Sequence, residues 1–141
     1  MSAKLRALGQ VIKRVQHRHH HTLDARLAPL GITLVQWDAL RHIDQEPGAS
    51  AHKLAQLTFQ TDQAFGSLSN RLLERGLIER RTGAGRAIRH HLSPAGAGLL
   101  GEANAAVDAL LHASFAALTA DEVDVLQGLL ARVLAAPLAR G

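Results

Sequence analysis

The chain has 141 residues, of which 47% are apolar, 20% charged and 3% aromatic, and its formal net charge is +4. This length and apolar content predict one globular domain, or one domain with helical extensions, and argue against a disordered chain. The absence of cysteine excludes disulfides and thiolate metal sites, and no apolar run approaches the roughly 18 residues of a membrane span.

The first predicted element is one long helix over residues 2–28. It carries a narrow apolar seam at alternating steps of three and four residues, formed by Leu5, Leu8, Ile12, Val15, His19, Leu23 and Leu27. A narrow stripe with basic flanks is typical of a helix that a partner covers. The N-terminus lacks the apolar region of a secretory signal, so we expect a cytoplasmic protein.

Two capped helices follow. Thr33 and Gln36 form a capping box that begins a helix ending near Glu46, and its predicted buried face is Leu34, Trp37, Leu40 and Ile43. Ser50 is the predicted N-cap of a short helix that ends before the turn 58–60.

The next helix has two chemically different faces. Thr61 is its predicted N-cap, and Gly76 ends it. Its apolar face carries Phe65, Leu68 and Leu72, and its opposite face carries Gln63, Ser67, Asn70, Glu74 and the adjacent Arg71. One face suits a core, and the other offers short groups that donate and accept hydrogen bonds.

A β-hairpin follows this helix. Residues 77–82 and 87–92 are strand-like, and the Gly-rich segment 83–86 is its tip. A helix-turn-helix followed by a hairpin is a winged helix, which places its second helix in the DNA major groove and its wing on the backbone or minor groove.

Charge supports this interpretation. Between Arg71 and His91 there are six arginines and two acidic residues, an excess of four positive charges that equals the net charge of the whole chain. Neutralisation of phosphates supplies much of the affinity of proteins for DNA. The alternative is an ordinary solvated hairpin with a charged edge.

Two helices complete the predicted fold, which is mainly α with a small β-hairpin. Pro94 begins a helix to about Ala117, and a second capping box, Thr119 to Glu122, begins a final helix that ends before Pro137. The exposed seams of the terminal helices predict a homodimer on a palindromic site in double-stranded DNA. We therefore expect residues 1–30 and 95–141 to form a helical dimerisation region around a winged helix-turn-helix at 31–94.

The run from Leu54 to Arg80, with Asn70-Arg71-Leu72-Leu73-Glu74-Arg75-Gly76-Leu77-Ile78 at its centre, resembles the MarR family of bacterial transcriptional regulators, as does Leu92-Ser93-Pro94-Ala95-Gly96. The resemblance implies a dimeric winged-helix repressor, less often an activator, that a small aromatic or anionic effector releases from its operator. It also implies DNA contacts by residues of the second helix and by the wing-tip arginine, namely Thr61, Gln63, Ser67, Asn70, Arg71 and Arg86.

Three of these positions have alternative roles. Arg71 reads a base or pairs with Glu74 or Glu79, and Ser67 and Thr61 contact bases or phosphates. The sequence also departs from the family, whose members often brace the wing arginine with an acidic residue, because Gly83-Ala84-Gly85 precedes Arg86 here.

The nine histidines raise the question of a metal. His17 and His21 are four residues apart, so one helix face offers two nitrogens, and a third ligand has to come from elsewhere, such as His42 or His112. The alternatives are a polar helix face, a role in binding an anion and a pH response. A metal-responsive regulator is therefore a second hypothesis, with no metal site assigned and no cofactor expected.

The candidate effector residues are Arg14, Arg18, Trp37 and Arg41. A tryptophan stacks on an aromatic ring and an arginine pairs with a carboxylate, although Trp37 also suits a core position. No catalytic or nucleotide-binding motif occurs, so we do not expect an enzyme. A winged helix that binds protein instead of DNA remains an alternative.

Overall fold

The computed structural model describes residues 1–83, 85 and 87–139. The helices are α1 (Ser2–Leu27), α2 (Leu34–Gln45), α3 (Ala51–Leu57), α4 (Asp62–Glu74), α5 (Pro94–Ser114) and α6 (Ala120–Ala135), with a 3-10 turn at Ala28–Leu30 and strands β1 (Ile78–Thr82) and β2 (Ile88–Leu92). The predicted fold class and order of elements are confirmed, and α5 ends three residues earlier than expected. In the described part of the chain, no helix is long and apolar enough to cross a membrane.

Local hydrogen bonds begin four of the helices at the predicted residues. The side chains of Thr33, Ser50, Thr61 and Thr119 each accept a hydrogen bond from the backbone N–H three residues later. Around Thr33 and Thr119 the capping box is complete, because the third helical residue also accepts from the cap's own N–H. Gly76 ends α4 with a positive φ of 72°, a conformation that favours glycine.

The core lies where α2, α3, α4, the hairpin and the first turns of α5 meet. Phe65 and Leu72 of α4 are completely buried, as is Leu40 of α2. The other buried members are Ala39, Ile43, Ala49, Leu54, Ala55, Leu77, Ile78 and Leu100. Trp37 packs against this cluster and is only partly buried.

The hairpin is tied to the core from both sides. β1 and β2 pair antiparallel, with Arg80 opposite His90. Ala49, just before α3, forms an isolated antiparallel bridge with His90 and so ties the segment before α3 to β2. On the other side, a Cβ at Gly96 would overlap the carbonyl oxygen of Leu77, so α5 approaches the hairpin closely because residue 96 is glycine.

The terminal segments expose apolar residues. Leu23 and Leu27 bury the C-terminal end of the α1 seam, but Leu5, Leu8 and Ile12 are 45–55% exposed. No residue of α6 is buried. The expectation of an exposed seam is wrong for α5, where Leu100, Ala103, Val107 and Leu110 are all buried.

The chain divides into two compact units, residues 1–107 and 108–141. The first holds α1 to β2 and most of α5, and therefore contains the entire winged helix. The second holds the end of α5 and α6, with a concavity of about 540 Å³ lined by residues that include His112, Phe115 and Val123.

Candidate nucleic-acid interface

Helix α4 presents a polar face to solvent. Four candidate DNA-binding residues, Gln63, Ser67, Asn70 and Arg71, are exposed on α4, and the fifth, Thr61, is exposed at its N-cap. Because Phe65 and Leu72 anchor the opposite face in the core, the polar face has a fixed orientation.

Ser69 was not among the residues expected to be buried. It is 1% exposed, and its hydroxyl donates to the carbonyl oxygen of Gly66 at 3.1 Å. The guanidinium of Arg80 on β1 donates to Ser69 Oγ at 2.8 Å and to Asn70 Oδ1 at 2.7 Å. One wing arginine is thus hydrogen-bonded to α4, the recognition helix of the winged helix. The apolar periodicity of α4 does not predict this contact.

The arginines behind the charge argument have different surroundings. Arg75 donates to the carbonyl oxygen of Gly31 at 2.7 Å, and Arg81 forms an ion pair with Glu79 at 2.9 Å. Arg71 forms no salt bridge among the described residues, so neither proposed pairing, with Glu74 or with Glu79, is present. The charge count in the sequence therefore includes arginines that already have partners within the fold.

Arg89 is an exposed wing arginine that the sequence interpretation did not select. Its side chain lies against Gly83, where a Cβ would overlap Nε, and within 3.6 Å of the position that a Cβ would take at Gly48. Glycine at position 83 thus leaves room for the arginine to lie along the wing, whereas the distance at Gly48 is an ordinary van der Waals contact. The predicted wing-tip residue Arg86 lies outside the described residues.

A buried histidine joins the wing to the core. His90 is 2% exposed, its Nδ1 hydrogen-bonds the carbonyl oxygen of Ala49 at 3.0 Å, and its ring meets Phe65 edge-on. Burial lowers the pKa of His90 below its ordinary value of 6.5, the hydrogen bond to Ala49 opposes this, and the charges of Arg80 and His91 lower it further. The neutral imidazole is therefore the form that fits this site.

The candidate effector residues are only partly brought together. A cleft of about 660 Å³ lies between α1, α2 and the turn before α4, and Gln16, His20, Trp37, Phe59 and Thr61 are among its lining residues. Phe59 is 97% exposed and has a positive φ of 56°, an unusual conformation for a bulky residue.

Trp37 is held in place at the edge of this cleft. Its Nε1 donates to Asn104 Oδ1 at 2.9 Å, and the guanidinium of Arg41 lies 5.5 Å from its ring centroid. Arg14 and Arg18 line a separate concavity along α1, formed by residues 10–18. Within a single chain they do not line the cleft of Trp37.

The histidines of α1 form a face without a third metal ligand. The rings of His17 and His21 stack with centroids 6.4 Å apart, and His20 contacts Asp24 at 3.3 Å. His42 bonds the carbonyl oxygen of Asp38 through Nδ1 at 2.8 Å. Over residues 1–83, 85 and 87–139, no group of three or more His, Asp or Glu side chains is placed to hold a metal ion.

Comparison with known proteins identifies the family. The model of the MarR family matches residues 30–87. An HTH-type transcriptional repressor of Mycobacterium tuberculosis, Rv2887, is 32% identical over 117 residues, which cover 82% of this chain and 84% of that protein. The same values hold for the repressor Mb2911 of Mycobacterium bovis.

Solved structures show the same architecture. A mutant MarR from E. coli complexed with operator DNA has a TM-score of 0.83 at 28% identity, covering 93% of this chain and 96% of that one. Rv2887 of M. tuberculosis in complex with salicylic acid has a TM-score of 0.73 at 30% identity, covering 89% and 95%. The winged helix with its flanking helices and the extent of these matches lead to one conclusion: this chain belongs to the MarR family of transcriptional regulators.

Proposed function

We propose that this protein is a homodimeric, ligand-responsive repressor that binds a near-palindromic operator. The observation that carries this proposal is the fixed, exposed polar face of α4, whose opposite face is anchored by Phe65 and Leu72. A solved MarR with operator DNA and the same fold supports the placement of that face in a major groove.

DNA contact is assigned to two elements. On α4, Gln63, Asn70 and Arg71 are long enough to reach base edges, whereas Thr61 and Ser67 suit phosphates. On the wing, Arg86 is joined by Arg89, whose exposed side chain lies over Gly48 and Gly83. The wing arginines attract DNA of any base sequence, and α4 discriminates between base sequences.

Dimerisation is assigned to residues 1–30 and 95–141, around a winged helix at 31–94. The N-terminal half of α1 exposes Leu5, Leu8 and Val11, and α6 exposes Leu129 and Leu130, each at 41–55%. Apolar surface of this extent is typical of an interface that a second copy covers. A two-fold axis through these helices would direct two α4 helices to half-sites about 10 bp apart.

The cleft beside Trp37 is the proposed effector site. Trp37 and Phe59 offer aromatic surface, and the His20 imidazole, 3.3 Å from Asp24, offers a hydrogen-bonding group. Arg41 beside Trp37 remains a candidate, and Arg14 and Arg18 require the partner copy to reach the ligand. The cleft also includes Thr61, the N-cap of α4, so a ligand there has a direct route to the reading helix.

Two alternatives make different predictions. A metal-responsive regulator would use His17 and His21, and the described part of one chain supplies no third ligand, so a metal site would need the partner copy. A protein-binding winged helix would show no operator preference. We also propose that the protein is not an enzyme and that it acts in the cytoplasm, because a transcriptional regulator needs access to DNA and no catalytic residues.

The test is an electrophoretic shift assay on duplexes selected from a randomised library by the purified protein. A repressor of this type enriches a palindrome, binds it with an affinity that falls steeply with salt, and releases it when salicylate is added. Release by Zn²⁺ instead of salicylate would favour the metal-responsive alternative. Failure to enrich any duplex would contradict DNA reading itself.

Variants separate the two DNA-contacting elements. Arg86→Ala is expected to weaken binding about tenfold on all duplexes, since it removes a phosphate contact. Arg26→Ala, which removes an exposed arginine from α1, is the matched control and is expected to leave affinity unchanged. Unchanged affinity of the Arg86 variant would argue against contact by the wing tip.

A further inference from the structure

Arg80 holds the recognition helix through a short chain of hydrogen bonds. One terminal nitrogen of its guanidinium donates to both Ser69 Oγ, at 2.8 Å, and Asn70 Oδ1, at 2.7 Å. That nitrogen has two hydrogens, so these two acceptors satisfy it completely. The contact joins β1 of the wing to residues of α4 that are 10 and 11 positions earlier in the chain.

The Ser69 end of this series of hydrogen bonds is buried. Ser69 is 1% exposed, and its only hydroxyl hydrogen is donated to the Gly66 carbonyl at 3.1 Å. Its lone pairs are therefore the groups that face Arg80. On the strand, Arg80 is opposite His90, which is itself fixed by Ala49 and Phe65. The guanidinium is thus bonded to a buried hydroxyl on α4, and the strand that carries it is paired with a strand anchored by a buried histidine.

The Asn70 end is exposed and faces the proposed DNA groove. A carboxamide has an oxygen that accepts and an NH2 that donates, and rotation by 180° exchanges them. The guanidinium accepts no hydrogen bond, so only the oxygen can face Arg80. The bond therefore fixes which end of the Asn70 side chain is the acceptor.

This orientation matters for base reading. Asparagine recognises adenine by accepting from N6 and donating to N7, and both contacts require one orientation of the amide. The Asn70 oxygen has a second lone pair that remains available beside Arg80. The Asn70 NH2 group forms no hydrogen bond with the described residues, so it is available to donate to a base. A pre-oriented side chain also loses less conformational freedom on binding.

We propose that Arg80 is a positioning residue that sets the reading orientation of Asn70 and so determines specificity at one base pair of each half-site. This role rests on the proposed DNA-binding function and adds to it a residue that does not itself contact a base. The positive charge of Arg80 contributes to general affinity, so the test has to keep that charge.

Arg80→Lys keeps the charge and replaces the fork-shaped donor with a single ammonium group that lacks its geometry. Affinities are measured on the selected duplex and on duplexes with single base changes, for the wild type, Arg80→Lys, Asn70→Ala and the double variant. We expect Arg80→Lys to lose about tenfold discrimination at the same base pair as Asn70→Ala, with an unchanged salt dependence. The double variant should lose no more than Asn70→Ala alone, because the two residues act as one unit.

Two further variants complete the test. Arg81→Lys is the matched control, since Arg81 is next on the strand but pairs with Glu79, and it should not alter discrimination. Ser69→Ala removes one of the two acceptors that hold Arg80. It should reduce discrimination at the same base pair, by a smaller factor than Arg80→Lys.

The outcomes separate the two proposals. Three results would each overturn the positioning role while leaving operator binding intact. They are unchanged base discrimination in Arg80→Lys, a loss of discrimination at a different base pair from that of Asn70→Ala, and losses of discrimination that add in the double variant. A uniform loss of affinity with discrimination intact would show that Arg80 is only structural. If the wild type itself prefers no duplex, the proposed function fails, and the role of Arg80 fails with it.

Discussion

The winged helix buries leucine side chains in its core, whereas α6 and the first half of α1 leave theirs exposed. In α4, Leu72 is completely buried, whereas in α6 Leu134 is 87% exposed. Both helices are amphipathic and both begin at a capping threonine. The difference shows that the winged helix completes its core within one chain, and that α6 and the first half of α1 do not. We interpret the exposed surfaces as the interface of a homodimer.

The largest expected effect lies in the winged helix, at the contact of α5 with Leu77. Gly96→Ala places a methyl group on the Leu77 carbonyl and is expected to reduce the free energy of unfolding by about 3 kcal/mol, because the backbone has to move. The matched control is Gly98→Ala, two residues along the same helix, where nothing lies within 4 Å of the added methyl. There the higher helix propensity of alanine should stabilise by up to about 1 kcal/mol.

Urea unfolding followed by circular dichroism measures both variants. A lower free energy of unfolding for Gly96→Ala and a higher one for Gly98→Ala would confirm that the winged helix is tightly packed at the contact of α5 with Leu77. Equal small effects would mean that α5 can move away from the hairpin, and would weaken the contrast with the terminal helices.

The second effect concerns the terminal helices. Leu130→Glu on α6 puts a charge into the proposed interface and is expected to raise the dimer dissociation constant by roughly a hundredfold. Sedimentation equilibrium measures it, and Gln127→Glu on the same helix is the control for added charge. A dimer that is unchanged by Leu130→Glu would place the interface elsewhere.

A smaller effect is expected at the start of the recognition helix. Thr61→Ala removes the side-chain acceptor for the Ala64 N–H and should cost about 1 kcal/mol of stability. Thr61→Ser keeps the cap and should retain the stability of the wild type. Thermal unfolding distinguishes the two, and an equal loss in both variants would assign the effect to the threonine methyl group.

The smallest expected effect is a pH dependence centred on the wing. Because the pKa of His90 is lowered in the folded protein, the unfolded chain takes up a proton first as the pH falls below about 6.5. Stability contributed by neutral His90 is therefore fully present above pH 6.5 and decreases as the pH falls toward the folded pKa. His90→Gln should reduce this slope, and unfolding curves between pH 8 and 5 test it. An unchanged slope in His90→Gln would contradict the contribution of His90 to the pH dependence of stability.

The sequence predicts those features that depend on residues close together along the chain. The N-caps at Thr33, Ser50, Thr61 and Thr119 and the end of α4 at Gly76 are all predicted correctly, because each depends on residues within four positions. The alternation of apolar and polar residues likewise predicts which face of α4 enters the core. These features give the fold class and, through the family resemblance, the candidate site.

Only the tertiary structure decides the long-range contacts. Asp24 accepts from the Leu34 N–H at 2.7 Å, and Ala49 pairs with His90 across 41 positions. The bond from Arg80 to Asn70 likewise exists because the wing folds back against α4. Local pattern determines where each helix begins and which face is apolar, but which polar groups meet depends on how the elements pack, and that information is distributed over the whole chain.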